Sequence, residues 1–178
     1  MPEEPEVPTE HLHESIQEQA EHARESWILA VALSTAVLAV LAAITSLLAG
    51  AHANEAMLDQ IQASDHWAYY QAKGIKAAVL ESKMELLHGL NKEVPLEDGK
   101  KLEEYKADQK EIQVKAEERA QSSEHHLAHH ETLAKGVTIF QVAIAIAAIS
   151  VLTRKKWMWF GSMVLGICGC IFFVLGIL

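Results

Sequence analysis

Proline almost vanishes from this chain after its first few residues. Of four prolines, three fall at positions 2, 5 and 8 and the last is Pro95. Proline interrupts a helix interior by removing a donor and clashing with the preceding turn. The stretches 9 to 94 and 96 to 178 are therefore free of the strongest helix breaker. Cysteine is equally scarce. Cys168 and Cys170 both lie inside an apolar run, which excludes a disulfide-stapled domain and makes them small packing residues rather than reactive thiolates. There is no glycine-rich phosphate loop and no nucleophile turn, so no enzyme is expected. The chain has no basic surplus either, with 15 Lys and Arg against 24 Asp and Glu and a net charge of −9, so no nucleic-acid partner is expected.

Apolar residue, by contrast, is half the chain and is gathered into three blocks without a charge. They read WILAVALSTAVLAVLAAITSLLAG (27–50), GVTIFQVAIAIAAISVLT (136–153) and WMWFGSMVLGICGCIFFVLGIL (157–178). A hydrocarbon core of about 30 Å needs roughly 20 residues of helix. The expectation is an all-α integral membrane protein with three transmembrane helices, at 27–50, 135–153 and 157–178. The first block is not a signal sequence: eight acids and the single base Arg24 precede it, and its core is too long.

Between the spans lies a polar segment, 51–134, rich in Ala, Glu, Lys and Gln, which favour helix. Its one cluster of breakers is GLNKEVPLEDG, about 89–99. This predicts a long extramembrane antiparallel helical hairpin between the first and second spans. Pairing Asn91 with Glu97 at the tip makes opposed residues sum to about 188, setting Asp59 level with His129, Gln62 with His126, His66 with Ser122 and Gly74 with Val114. Met57, Ile61, Ala68, Ile75 and Val79 are then expected to face Leu102, Ile112, Ala116 and Leu127. The polar arms bury little as a single pair, which points to a homo-oligomer with coiled-coil character.

Basic residues near the spans set orientation. Arg154, Lys155 and Lys156 form the link between the second and third spans, and Trp27, Trp157 and Trp159 cluster on the same side. The N-terminus and link are expected in the cytoplasm, the hairpin and C-terminus outside it, periplasmic or extracellular. The tail, 1–26, is strongly acidic and should avoid anionic lipid; its first eight residues read as disordered. From Leu12 a narrow stripe of Leu12, Ile16, Ala20, Ala23 and Trp27 follows helical spacing, either as a solvated extension of the first span or as a docking face for a protein partner.

Two small-residue seams run through the spans. Ala32, Ala36, Ala39, Ala43, Ser46 and Gly50 alternate three and four apart, and Ser162, Gly166 and Cys170 repeat every four beside Gly169. Such seams let another helix approach closely. The runs hold no ionisable side chain, which argues against a coupled transporter.

The stretch EHHLAHHE, 124–131, carries His125, His126, His129 and His130. The pairs His125/His129 and His126/His130 are spaced i to i+4, as in zinc-binding helices, and Asp59 and Glu55 on the facing arm could complete a shell for a divalent metal such as zinc. Two other readings stand beside this one: a solvated helix face, and a charge that responds to pH through the neighbouring glutamates. His11, His13, His22, His52 and His88 read as scattered surface residues. No other cofactor is expected.

The pattern Ser64-Asp65-x-Trp67-Ala68-x-Tyr70-Gln71-Ala72-Lys73, just after the first span, resembles the bacterial membrane family catalogued as domain of unknown function 4337. Gly74 departs from the serine expected there. The resemblance covers most of the chain and implies a multi-pass protein of the bacterial inner membrane, with no established activity. The expected function is a scaffold or interaction platform with lipid, itself and a protein partner on the tail or hairpin as its contacts. The alternative is an oligomeric channel gated by metal or protons at His125–His130, with Ser34, Thr35, Thr45, Ser46 and Gln141 lining it.

Overall fold

The structure is a computed structural model that describes the backbone of residues 9–178 and the side chains of residues 26–178. The expectations for the acidic tail and its apolar stripe before Trp27 lie outside the described side chains. The described residues form three helices: α1 (Thr9–Gly89), α2 (Leu96–Thr153) and α3 (Lys156–Ile177). Among the described residues there is no strand. Each helix contains a stretch long and apolar enough to cross a membrane.

The helices stop where the backbone says they must. After α1, Asn91 takes φ 53°, its N–H bonds the His88 carbonyl, and the Lys92 N–H reaches back to Leu87 at 2.9 Å. This pair of bonds around a left-handed residue is the Schellman termination. Asn is among the few side chains that tolerate the conformation. After α2 the same pair recurs around Arg154, φ 56°, with Arg154 N–H to Val151 and Lys155 N–H to Ser150. Pro95 then stands just before α2, and Glu97 and Asp98 occupy its first turn, where negative charge suits the helix dipole.

The chain divides into two compact units, one made of the residues up to Leu47 with Thr132–Leu178, the other of Leu48–Glu131. The core of the first unit is Leu38, Ala42, Phe140 and Ala143, with Leu41, Ile144, Leu165, Cys170 and Phe173 packed against it. The buried face of α3 is Ser162, Gly166, Gly169 and Gly176. These positions are small because large neighbours fill the space above them. A Cβ at Gly166 would come 2.7 Å from a Leu38 methyl, and one at Gly176 would come 2.6 Å from Leu133. The α3 seam expected from sequence thus packs against the same chain, running through Gly169 and Gly176, with Cys170 half-buried beside it. The Trp159 indole donates to Ser34 Oγ at 3.1 Å, and the Lys156 ammonium sits 5.9 Å from the Trp27 ring.

The apolar part of α1 shows three faces. Val31, Leu38, Ala42 and Thr45 are buried. One residue further on, about 100° round the helix, Ala32, Ala39, Ala43 and Ser46 are exposed, as are Ala36 and Gly50. One residue further again, Leu33, Val40, Ile44 and Leu47 are exposed and bulky. The small-residue seam of α1 is therefore a different face from the one that packs within the chain.

In the second unit α1 and α2 lie against one another in opposite directions. Ser123 donates to the Ala56 carbonyl at 2.8 Å, Ser122 to Asp59 at 2.6 Å, Gln109 to the Tyr70 carbonyl at 3.3 Å and Lys73 to Asp108 at 2.5 Å. These pairs sum to 179–181 rather than the expected 188. Asp59 meets Ser122 instead of His129, and Gly74 meets Gln109 instead of Val114. The cause is the turn: the chain reverses at Asn91, so residues 92–95 already run back beside the end of α1 before α2 begins. The buried apolar positions of this part of α1 are Ala49, Ala56, Ala63 and Ala77, separated by seven residues or twice seven. Met57, Ile61, Ile75 and Val79, expected to face α2, are more than half exposed. On α2 only Ile112 and Ala116 are buried apolar residues in this unit. A fully buried isoleucine contributes about 1.5–3 kcal/mol, so the contact depends on close alanine approach and the polar bridges between the two segments.

Candidate functional site

Between Ala49 and His130 the two segments of the second unit bring four imidazoles together, those of His52, His125, His126 and His129. His52 and Glu55 are three apart on α1 and share a face, since residues at i and i+3 are neighbours on a helix. His126 approaches them from α2. Its Nδ1 lies 3.1 Å from His52 Nδ1 and 3.1 Å from Glu55 Oε2, while His52 Nδ1 and Glu55 Oε2 are 3.7 Å apart. These three atoms, two imidazole nitrogens and one carboxylate oxygen, all lie within 4.8 Å of one another.

The remaining histidines surround this triangle. His129 stacks on His52 with ring centroids 5.2 Å apart and planes 22° from parallel. His125 tilts against His129 at 4.5 Å and meets His126 edge-on. The His130 ring nitrogen Nδ1 bonds the Ala49 carbonyl at 2.8 Å. Burial holds the pKa of His52 below its ordinary 6.5, and the neighbouring imidazole of His129 lowers it further, while Glu55 acts in the opposite sense. The neutral, lone-pair-bearing form of His52 is thereby favoured.

Of the residues singled out in the sequence, His126 is in the triangle and His125, His129 and His130 flank it. Asp59 is elsewhere engaged. Ser122 donates to it at 2.6 Å and Arg119 at 2.9 Å, and these partners, Ser122 first, hold its pKa below the ordinary carboxylate value. Its two oxygens are already committed, so it is a poor additional ligand in this arrangement. His52, read from sequence as a scattered surface residue, is the missed member. The signal that could have found it is its i, i+3 spacing from Glu55, directly after the first apolar block. Beside the triangle opens a groove of about 310 Å³ whose walls include Glu55, Asp59, Arg119 and His126.

Two other predicted features resolve into packing. Lys73 is tucked between the Tyr69 and Tyr105 rings at 5.5 and 5.1 Å while bridging to Asp108, and Trp67 meets Tyr70 edge-on. The aromatic group after the first span therefore contributes to holding the segments together. Of the candidate pore-lining groups, Thr45 is wholly buried and donates to the Leu41 carbonyl, and Ser34 and Thr35 both donate to the carbonyl of Val31.

The family model described as Domain of unknown function (DUF4337) matches residues 27–178. No curated protein matches the chain and no solved structure does.

Proposed function

The chain belongs to this family, and from that premise and the geometry of its helices we propose that it is a non-enzymatic, homo-oligomeric, multi-pass protein of the bacterial inner membrane. Its extramembrane antiparallel helical hairpin, 51–134, serves as a coiled-coil scaffold or interaction platform.

The observation that carries this reading is the uncovered small-residue face of α1. Ala32, Ala36, Ala39, Ala43, Ser46 and Gly50 are all exposed, although they form the kind of surface that lets helices meet in lipid. Large exposed residues such as Leu33, Val40 and Leu47 suit contact with acyl chains. A second copy of the chain is the natural occupant of the smaller face.

Polar groups in the apolar runs agree. The hydroxyls of Ser34, Thr35, Thr45, Thr138, Ser150, Thr153 and Ser162 each return to a carbonyl of their own helix. Gln141 is exposed, and among the described residues nothing hydrogen-bonds its amide. An amide facing hydrocarbon alone is costly, and an interhelical bond to another copy removes that cost. On the arms, exposed Met57, Ile61, Ile75 and Val79 supply apolar surface for association of hairpins.

Orientation is supported by the company of the link. Lys156 over Trp27 and Trp159 bonded to Ser34 bring the tryptophans and the basic residues to one end of the first unit. Trp27 also has a buried indole N–H without a partner among the described residues, and aromatic rings with a polar handle favour the headgroup region. This agrees with a cytoplasmic N-terminus and link and an external hairpin and C-terminus.

Native mass spectrometry of the detergent-solubilised full chain tests the reading. We expect a defined oligomer that A36L combined with A43L dissociates, while V40L leaves it intact. A monomeric wild-type chain would sink the proposal.

A further inference from the structure

We propose that His52, Glu55 and His126 hold one divalent first-row metal ion of the zinc class, with a fourth coordination position open toward the groove beside Asp59 and Arg119. The inference uses only contacts inside the second unit and does not depend on the membrane reading.

Zinc binds imidazole nitrogen and carboxylate oxygen at about 2.0–2.2 Å in a tetrahedral shell, which separates ligand atoms by roughly 3.3–3.6 Å. The three edges here are 3.1, 3.1 and 3.7 Å, so a single ion fits among them after shifts of a few tenths of an ångström.

Both imidazoles turn Nδ1 inward, and a carboxylate oxygen is the third member. A neutral imidazole has one N–H and one lone pair, and an ionised carboxylate accepts only. One cation satisfies all three lone pairs at once. Three inward-facing ligand atoms from two helices are what a chelate requires.

Two nitrogens and one oxygen suit zinc and its first-row neighbours and do not suit calcium or magnesium, which take oxygen shells. The His52 ring is backed by the stacked ring of His129, which restrains its orientation. Three protein ligands leave one place for water or a small ligand, and the groove lined by Glu55 and His126 gives access to it. Bound there, the ion ties α1 to α2 at the start of the second unit.

The test is zinc titration of the full chain in detergent, followed by desalting and metal analysis, with Co²⁺ substitution to report tetrahedral geometry in its visible absorption. Wild type is expected to retain one zinc per chain. H52Q, E55Q and H126Q should each lower the affinity at least about tenfold, since even outer partners of a metal site have effects of that size. The triple variant H125Q/H129Q/H130Q, which removes both i to i+4 pairs, should still retain stoichiometric metal and the cobalt bands. E55Q is the informative single change if an imidazole variant misfolds, because the Glu55 side chain is more than half exposed. Zinc lost in the triple variant but kept in H52Q and E55Q would overturn the proposal, as would zinc kept in every variant or in none, wild type included.

Discussion

The Phe140 ring occupies the space that a side chain at Gly169 would need. A Cβ there would lie 2.7 Å from Phe140 Cε1 and 2.8 Å from Cδ1, and Phe140 is wholly buried, so it has no free volume to swing into. Gly169→Ala is expected to destabilise the first unit by about 1–3 kcal/mol, the usual effect of overpacking. Gly161→Ala, on the same helix with nothing within 4 Å, should not destabilise it. Thermal melts in one detergent compare the two, and equal melting temperatures would remove Phe140 as a fixed wall.

The turn at Asn91 gives a second expectation. Its φ of 53° is a conformation that a β-branched side chain resists. Asn91→Val should cost about 1–2 kcal/mol, while Asn91→Gly should be neutral or stabilising because glycine enters this region without strain. Chemical denaturation followed by helicity reads both. A valine variant as stable as wild type would mean that the reversal does not depend on this residue.

Asp59 gives the pH dependence. Arg119 and His126 face it from α2, Glu55 lies one turn before it on α1, and Ser122 and Arg119 hold its pKa below the ordinary 3.8. A carboxyl with a depressed native pKa contributes stability that is full above its unfolded value and fades as pH falls through the native one. The melting-temperature gap between wild type and D59N should narrow as pH falls below about 4. A gap that widens below that pH would contradict the assigned sign.

The helical architecture was legible because the apolar runs carry no charge and the prolines stand where helices can end. The register was not. Ala49, Ala56, Ala63 and Ala77 are seven or fourteen apart, so sliding α2 by two turns sets a similar small-residue pattern against it, and the expected sum of 188 differs from the observed 179–181 by about that much. Deciding between them required knowing that Asn91 rather than a later residue turns the chain. The same slip explains the site. Histidine chemistry at His126 was visible, but its partner moved from Gln62 to His52, and Asp59 moved from the histidines to Ser122 and Arg119. The seam of α1 was visible too, yet paired alanines at 42 and 43 left its phase ambiguous by one residue.

The glycine face of α3 also bears on how this sequence can drift. Gly166, Gly169 and Gly176 sit beneath Leu38, Phe140 and Leu133, so the volume available at each glycine is set by one identifiable side chain on another helix. Growth at 169 is tolerated only alongside shrinkage at 140, and growth at 176 only alongside shrinkage at 133. Residues on the outer face of α3, such as Val164, Ile167 and Ile171, are exposed and free of that reciprocity within the chain. Among diverging members of the family, the inner face should therefore change in matched pairs while the outer face changes one residue at a time.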